Sequence, residues 1–193
     1  MKRNMFWRWL VAVTALVMAS GAYALDKYTL DSGHSYVGWQ ISHFGFSSPS
    51  GKWYATGTLE LDKDKPQDSK ADITINVADM VTGIPELDKH LKGEDFFDTA
   101  KYPTATFVSD RVTMTGKDTA MVDGMLTLHG VTKPVKLKVK LNKADMSQVS
   151  NKMTAGFSAT ATLKRSDFGI KAYLPGLGDE VKLTIEVEAN KTA

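Results

Sequence analysis

The sequence predicts an all-β domain of eight antiparallel strands carrying one short helix. Three observations predict it. Apolar and polar residues alternate with period two through much of the chain, as in "PVKLKVKL" (residues 134–141) and "EVKLTIEVE" (180–188). Such strands bury one face and wet the other. Clusters of turn residues, "DKDKPQD", "TGKD" and "HGVTKP", divide several of the alternating runs. Helical signals gather in one place, between Pro85 and Gly93.

Taken in order, residues 1–24 read as a leader rather than as part of the fold. Lys2, Arg3 and Arg8 precede the apolar run "LVAVTALVMAS", and Ala22-Tyr23-Ala24 supplies an A-x-A cleavage site. That is the layout of a secretory signal peptide, and the run is shorter than the ~20 residues of a membrane span. Cleavage after Ala24 leaves residues 25–193 as a single domain and moves the formal net charge from +2 to −1. No basic patch then invites nucleic acid. The expected location is the periplasm. There are no cysteines, which removes disulfide staples, Cys-based zinc sites and a lipidated N-terminus.

The first strand is expected over 35–44, where Val37, Trp39 and Ile41 share a face and His43 falls where that face should continue. The second, 52–62, sets Trp53, Ala55, Gly57, Leu59 and Leu61 on one side, and the third, 70–79, sets Ala71, Ile73, Ile75 and Val77. The helix follows in "GIPELDKHLKGEDFF". Pro85 suits its first position, Glu86 and Asp88 its first turn, Lys89 and His90 its last, and Gly93 its stop. Leu87 and Leu91 lie on one face, enough to pack it on a barrel mouth. The fourth strand, 104–114, changes phase: Ala105, Phe107 and Ser109 have one parity, Val112 and Met114 the other, which predicts a bulge near Asp110. The last four strands are expected over 120–129, 134–142, 153–164 and 180–189.

Eight antiparallel strands must close or stack, because open edges pair with other chains. An up-and-down barrel and a two-sheet sandwich both fit the spacing. Small residues on the apolar faces, Ala155, Ala159 and Ala161 around Phe157 and Ala55 after Trp53, fill a core poorly and leave room for a ligand. Large neighbours filling that room from across the barrel remain the other reading. Catalytic motifs are missing: no G-x-S-x-G elbow, no P-loop and no G-x-G-x-x-G. The four histidines, His34, His43, His90 and His129, show no metal-ligand spacing. His129 has the parity opposite to Leu126 and Leu128 and is expected to face solvent.

Four segments, "HSYVGWQISHFGF", "DKHLKGEDFFDTAKYPTATFVS", "GMLTLHGVTKPVKLKV" and "ATLKRSDFGIK", stand in an order and spacing that resemble the YceI-like, or polyisoprenoid-binding, family. The resemblance implies an eight-stranded, lipocalin-like antiparallel barrel whose pore takes an isoprenoid chain, without a cofactor or an established enzymatic step. It implies a ligand-binding set of Trp39, Ile41, His43, Trp53, Ala55, Phe96, Phe97, Phe107, Phe157, Arg165, Phe168 and Tyr173. Within it, Phe96 and Phe97 would cap the mouth, Arg165 would pair with Asp167 or meet a headgroup, and "FGIKAYLPGLGDE" would form a flexible flap. The expected function is a periplasmic carrier or buffer of an isoprenoid-type lipid, a polyprenyl phosphate or a quinone. The alternatives are an enzyme acting on a lipid or small exported metabolite through His43, and a structural barrel working with a membrane electron-transfer protein. No nucleic acid or metal is expected; transient contact with inner-membrane proteins and a homodimer are left open.

Overall fold

The structure, a computed structural model, describes residues 25–192. The signal peptide expected over 1–24 lies outside the described residues. Among the described residues, nine strands and one α-helix occur in chain order. They are β1 (Asp26–Leu30), β2 (Tyr36–His43), β3 (Ser50–Leu61), β4 (Lys70–Asn76), α1 (Pro85–Leu91), β5 (Thr104–Met114), β6 (Thr119–Leu128), β7 (Val131–Met146), β8 (Met153–Lys164) and β9 (Leu177–Lys191).

All neighbours pair antiparallel, and the sheet closes because β3 pairs with both β2 and β4. That closure rules out the sandwich. The barrel has eight staves although it has nine strands. β1 and β2 occupy the same place between β3 and β9, with Tyr28 opposite Leu59 and Tyr36 opposite Tyr54. Residues 31–35 interrupt that stave. Ser35 seals the break: it is buried, its hydroxyl donates to the Glu188 carbonyl, and it accepts the Glu188 N–H. Buried polar groups need such partners.

Bulges re-aim three strands. The register shifts between Ser109 and Arg111 on β5, so that Ala105 and Phe107 before it and Val112 and Met114 after it all face the interior, as the change of parity predicts. A second shift between Leu141 and Lys143 turns Ala144 inward after Val139 and Leu141. The third lies where β2 meets β9, opposite Leu177. Gly124 is needed where it stands: a Cβ there would come within 2.5 Å of the Phe107 ring, so its absence lets Phe107 lie against the wall.

At one end of the barrel lie α1 and the turns 44–49, 77–103, 129–130 and 165–176. The opposite end carries the turns 62–69, 115–118 and 147–152. β6 and β7 join through a two-residue turn, His129–Gly130, both at positive φ (52° and 74°), the handedness that hairpins of this length require. His129 therefore does not face solvent. Its Nδ1 lies 3.0 Å from the Phe168 carbonyl and its ring meets Tyr102 edge-on.

Candidate functional site

The barrel is hollow. A cavity of about 1040 Å3 runs through it, at the top of the ~300–1,000 Å3 range of small-molecule sites. Its walls are almost wholly apolar, from all eight staves: Tyr28, Val37, Leu59, Ile73, Ile75, Val122, Leu137, Val139, Leu183, Ile185 and Val187 among them. Many of these inward aliphatics, including Ile73, Ile75, Val122, Leu137 and Ile185, are only half-buried. Residues pointing into a filled core would be fully covered, so their exposure is to the lumen. Ala55, Ala105, Ala155 and Ala159 are buried in the wall and line the same space, which is where the room comes from.

Every residue expected in the binding set borders this cavity. Trp39 and Trp53 lie ring to ring at 5.9 Å, and Phe97 stands edge-on to Trp53 at 5.3 Å. Phe96 is buried and stacks with Tyr173 at 6.2 Å, and His90 meets Phe96 edge-on at 5.0 Å. Phe107 and Phe168 are buried in the wall, while Ile41 and Phe157 are half-buried along it. The indole N–H groups of Trp39 and Trp53 are buried without an acceptor among the described residues. His90 was not singled out by the sequence. It shares a face of α1 with Leu87 and Leu91, and all three border the lumen, as the i, i+3, i+4 spacing allows.

His43 is the rim residue that interrupts the apolar face. It is exposed, it borders the cavity, and its ring packs edge-on to Phe44 at 4.9 Å. The apolar face ends there because the barrel wall ends there.

Arg165 does not pair with Asp167. Its side chain is buried (6% exposed) and its guanidinium donates to four carbonyls, those of Ile170, Ala172, Leu177 and Gly178, at 2.8–3.1 Å. Burial holds its pKa below the ordinary value, and the charge of Asp179 works the other way. Asp179 accepts from the Ser166 N–H and hydroxyl. Its own burial works to raise its pKa, but these bonds and Arg165 outweigh that and lower it. The segment expected to be a loose flap is thus strapped to the barrel by one side chain. Carbonyl acceptors carry no sequence signature, so the adjacent carboxylate of Asp167 was the misleading choice.

A titratable polar cluster lies outside the lumen. Asp31, His34 and Glu188 bring one ligand atom each within 4.8 Å at the break between β1 and β2. His34 Nδ1 hydrogen-bonds Asp31 at 3.1 Å. That bond first, then the charges of Asp31 and Glu188, raises the His34 pKa.

The family model of the YceI-like domain matches residues 28–189. The chain belongs to the YceI-like family. A "UPF0312 protein" of Pseudomonas savastanoi pv. phaseolicola is 44% identical over 165 residues, covering 84% of this chain and 85% of its own. Another from Pseudomonas putida is 41% identical over 181 residues, covering 92% and 93%. Among solved structures, this YceI-like barrel is similar to Burkholderia cenocepacia BcnA (TM-score 0.73, 25% identity, 83% of this chain and 99% of that one). It is also similar to the Campylobacter jejuni YCEI protein (TM-score 0.70, 30% identity, 79% and 91%). A polyisoprenoid binding domain from Saccharophagus degradans shares the fold at 16% identity and a TM-score of 0.65, over 87% and 99%.

Proposed function

We propose that the protein is a periplasmic carrier of an isoprenoid-type lipid, a polyprenyl phosphate or a quinone, whose tail occupies the lumen. The observation that carries this reading is the cavity itself, which runs through the barrel between walls that are almost wholly apolar. The name of the Saccharophagus degradans neighbour supports it. The mechanism is burial. Each CH2 taken out of water contributes about 0.8 kcal/mol, so a few isoprene units outweigh the ~4–15 kcal/mol cost of association. The sequence offers a leader for export, and His43 and His90 stand where the lumen meets the helix end, placed to contact a headgroup.

Trp39 and Trp53 are the only tryptophans after residue 24, and both border the lumen. Titrating the protein freed of residues 1–24 with a long-chain quinone in detergent should therefore quench its tryptophan emission saturably, at one equivalent. Emission that falls only in proportion to added quinone, as free indole does, would contradict a tail in the lumen. Replacing His43 by Ala should alter the preference between phosphate and quinone headgroups more than it alters the urea midpoint. Unchanged preference would remove that residue from the headgroup site.

A further inference from the structure

Three segments of the helix-end loops carry no charged residue, 44–51 ("FGFSSPSG"), 80–85 ("MVTGIP") and 172–178 ("AYLPGLG"), although Lys52, Asp79, Glu86, Lys171 and Asp179 flank them. They are neighbours in space. The Phe44 N–H donates to the Gly176 carbonyl, Val81 bridges to Lys52 at the start of β3, and Tyr173 stacks on Phe96 below α1. Four of their large side chains are exposed, Phe46 at 91%, Tyr173 58%, Ile84 57% and Phe44 49%, while Met80 and Leu177 turn into the core. Single exposed apolar residues are ordinary, but a group on adjoining uncharged loops marks a contact surface. The group is also continuous with the lumen, because His43, Phe44, Pro49 and Tyr173 border the cavity. Beside it the first turn of α1 is charged with Glu86 and Asp88, and Asp88 is turned inward onto the Thr82 N–H and hydroxyl.

We infer that this aromatic collar is a membrane-docking surface that seats the barrel mouth on a lipid bilayer. The occupant is a bilayer rather than a folded protein because the three segments carry no charge of their own to orient a partner and run into the apolar lumen through Phe44, Pro49 and Tyr173. They carry aromatic, proline and small residues around an opening for hydrocarbon. Aromatic side chains settle at the membrane interface, and a mouth seated there passes a tail from bilayer to lumen without crossing water. The purpose of the contact rests on the lipid-carrier reading; the contact itself does not. Since the collar is uncharged, its hold on a membrane owes little to salt or to anionic lipid.

The test is flotation of the purified protein with vesicles of neutral phosphatidylcholine, for the native chain and for Phe46→Ser combined with Ile84→Ser. Neither of these residues borders the lumen. The native protein should float at low and high salt, and the double variant should float about tenfold less, the scale of losing two interfacial apolar anchors. Both should be quenched equally by quinone supplied in detergent. A native protein that stays unbound, or a variant that floats as well, overturns the proposal. A native dimer that becomes monomeric in the variant assigns the face to a second copy and also overturns it. Flotation without quinone quenching in either protein sinks the carrier reading and leaves the membrane contact standing.

Discussion

The two ends of the barrel are built on the same closed sheet and differ in everything the sheet does not dictate. At the helix end the segments 44–51, 80–85 and 172–178 are uncharged, and buried Phe96, Phe168 and Ile170 lie in the core there with Met80. At the opposite end the turns "DKDKPQDS" and "TGKD" bring Lys63, Lys117 and Asp118 to the rim of the same cavity. A hydrogen-bonded ladder is indifferent to what its turns carry, so one barrel can gather uncharged aromatic segments at one mouth and bring charged turns to the other rim. The difference teaches that polarity of access to the lumen is written in the loops, while the capacity of the lumen is written in the strands.

The comparison breaks most completely if capacity lies elsewhere than in the strands. Filling the lumen with Leu137→Trp and Ile75→Trp, two half-buried wall residues on β7 and β4, should abolish quinone quenching, a loss of about a hundredfold or more, roughly 2.7 kcal/mol. The circular dichroism of the sheet should be retained. Full binding by a folded double variant would move the ligand out of the barrel.

Next in size is the strap at the helix end. Arg165→Ala strands four carbonyls and should cost about 3 kcal/mol or more in urea unfolding. Arg165→Lys should recover only part of that, since an ammonium cannot reproduce the planar fork. A loss below ~1 kcal/mol would mean water replaces the guanidinium and the loop needs no strap.

A smaller effect sharpens the assignment of ends. Lys63→Glu with Lys117→Glu reverses charge at the far rim and should change quinone or polyprenyl phosphate affinity by less than about threefold, as exposed charges act weakly. A large loss confined to the phosphate would place the headgroup there instead of beside His43.

The smallest concerns the break in the first stave. The Asp31 hydrogen bond raises the His34 pKa above its ordinary 6.5. Protonated His34 therefore stabilises the fold. That contribution is complete below 6.5 and is lost as pH rises through the raised value. His34→Ala should flatten this slope of urea stability against pH and leave quinone binding unchanged; an identical slope in both proteins would show that the pair does not contribute.

Much of this was legible in the sequence for physical reasons. Alternation reports a half-wet strand directly, the parity slip at Asp110 reports a bulge, and Pro85 and Gly93 bracket α1. β1 escaped because the inward face of "DKYTL" carries only two apolar residues, Tyr28 and Leu30, beside Asp26, too few to show a period. The pairing of β1 and β2 with β9, which completes the ring across the length of the domain, has no local signature at all. The helix-end site was read in part: the aromatics of the lumen follow from strand parity, whereas His90 lay hidden among the charges of α1 and the Arg165 acceptors were backbone.

The central claim is that the lumen holds a lipid tail. Native mass spectrometry of the protein purified without detergent from its own host tests it most directly. The account predicts a bound species at one equivalent, with an isoprenoid mass recovered on organic extraction and absent from the Leu137→Trp, Ile75→Trp variant. A ligand-free native protein that also takes up no isoprenoid on incubation would contradict it.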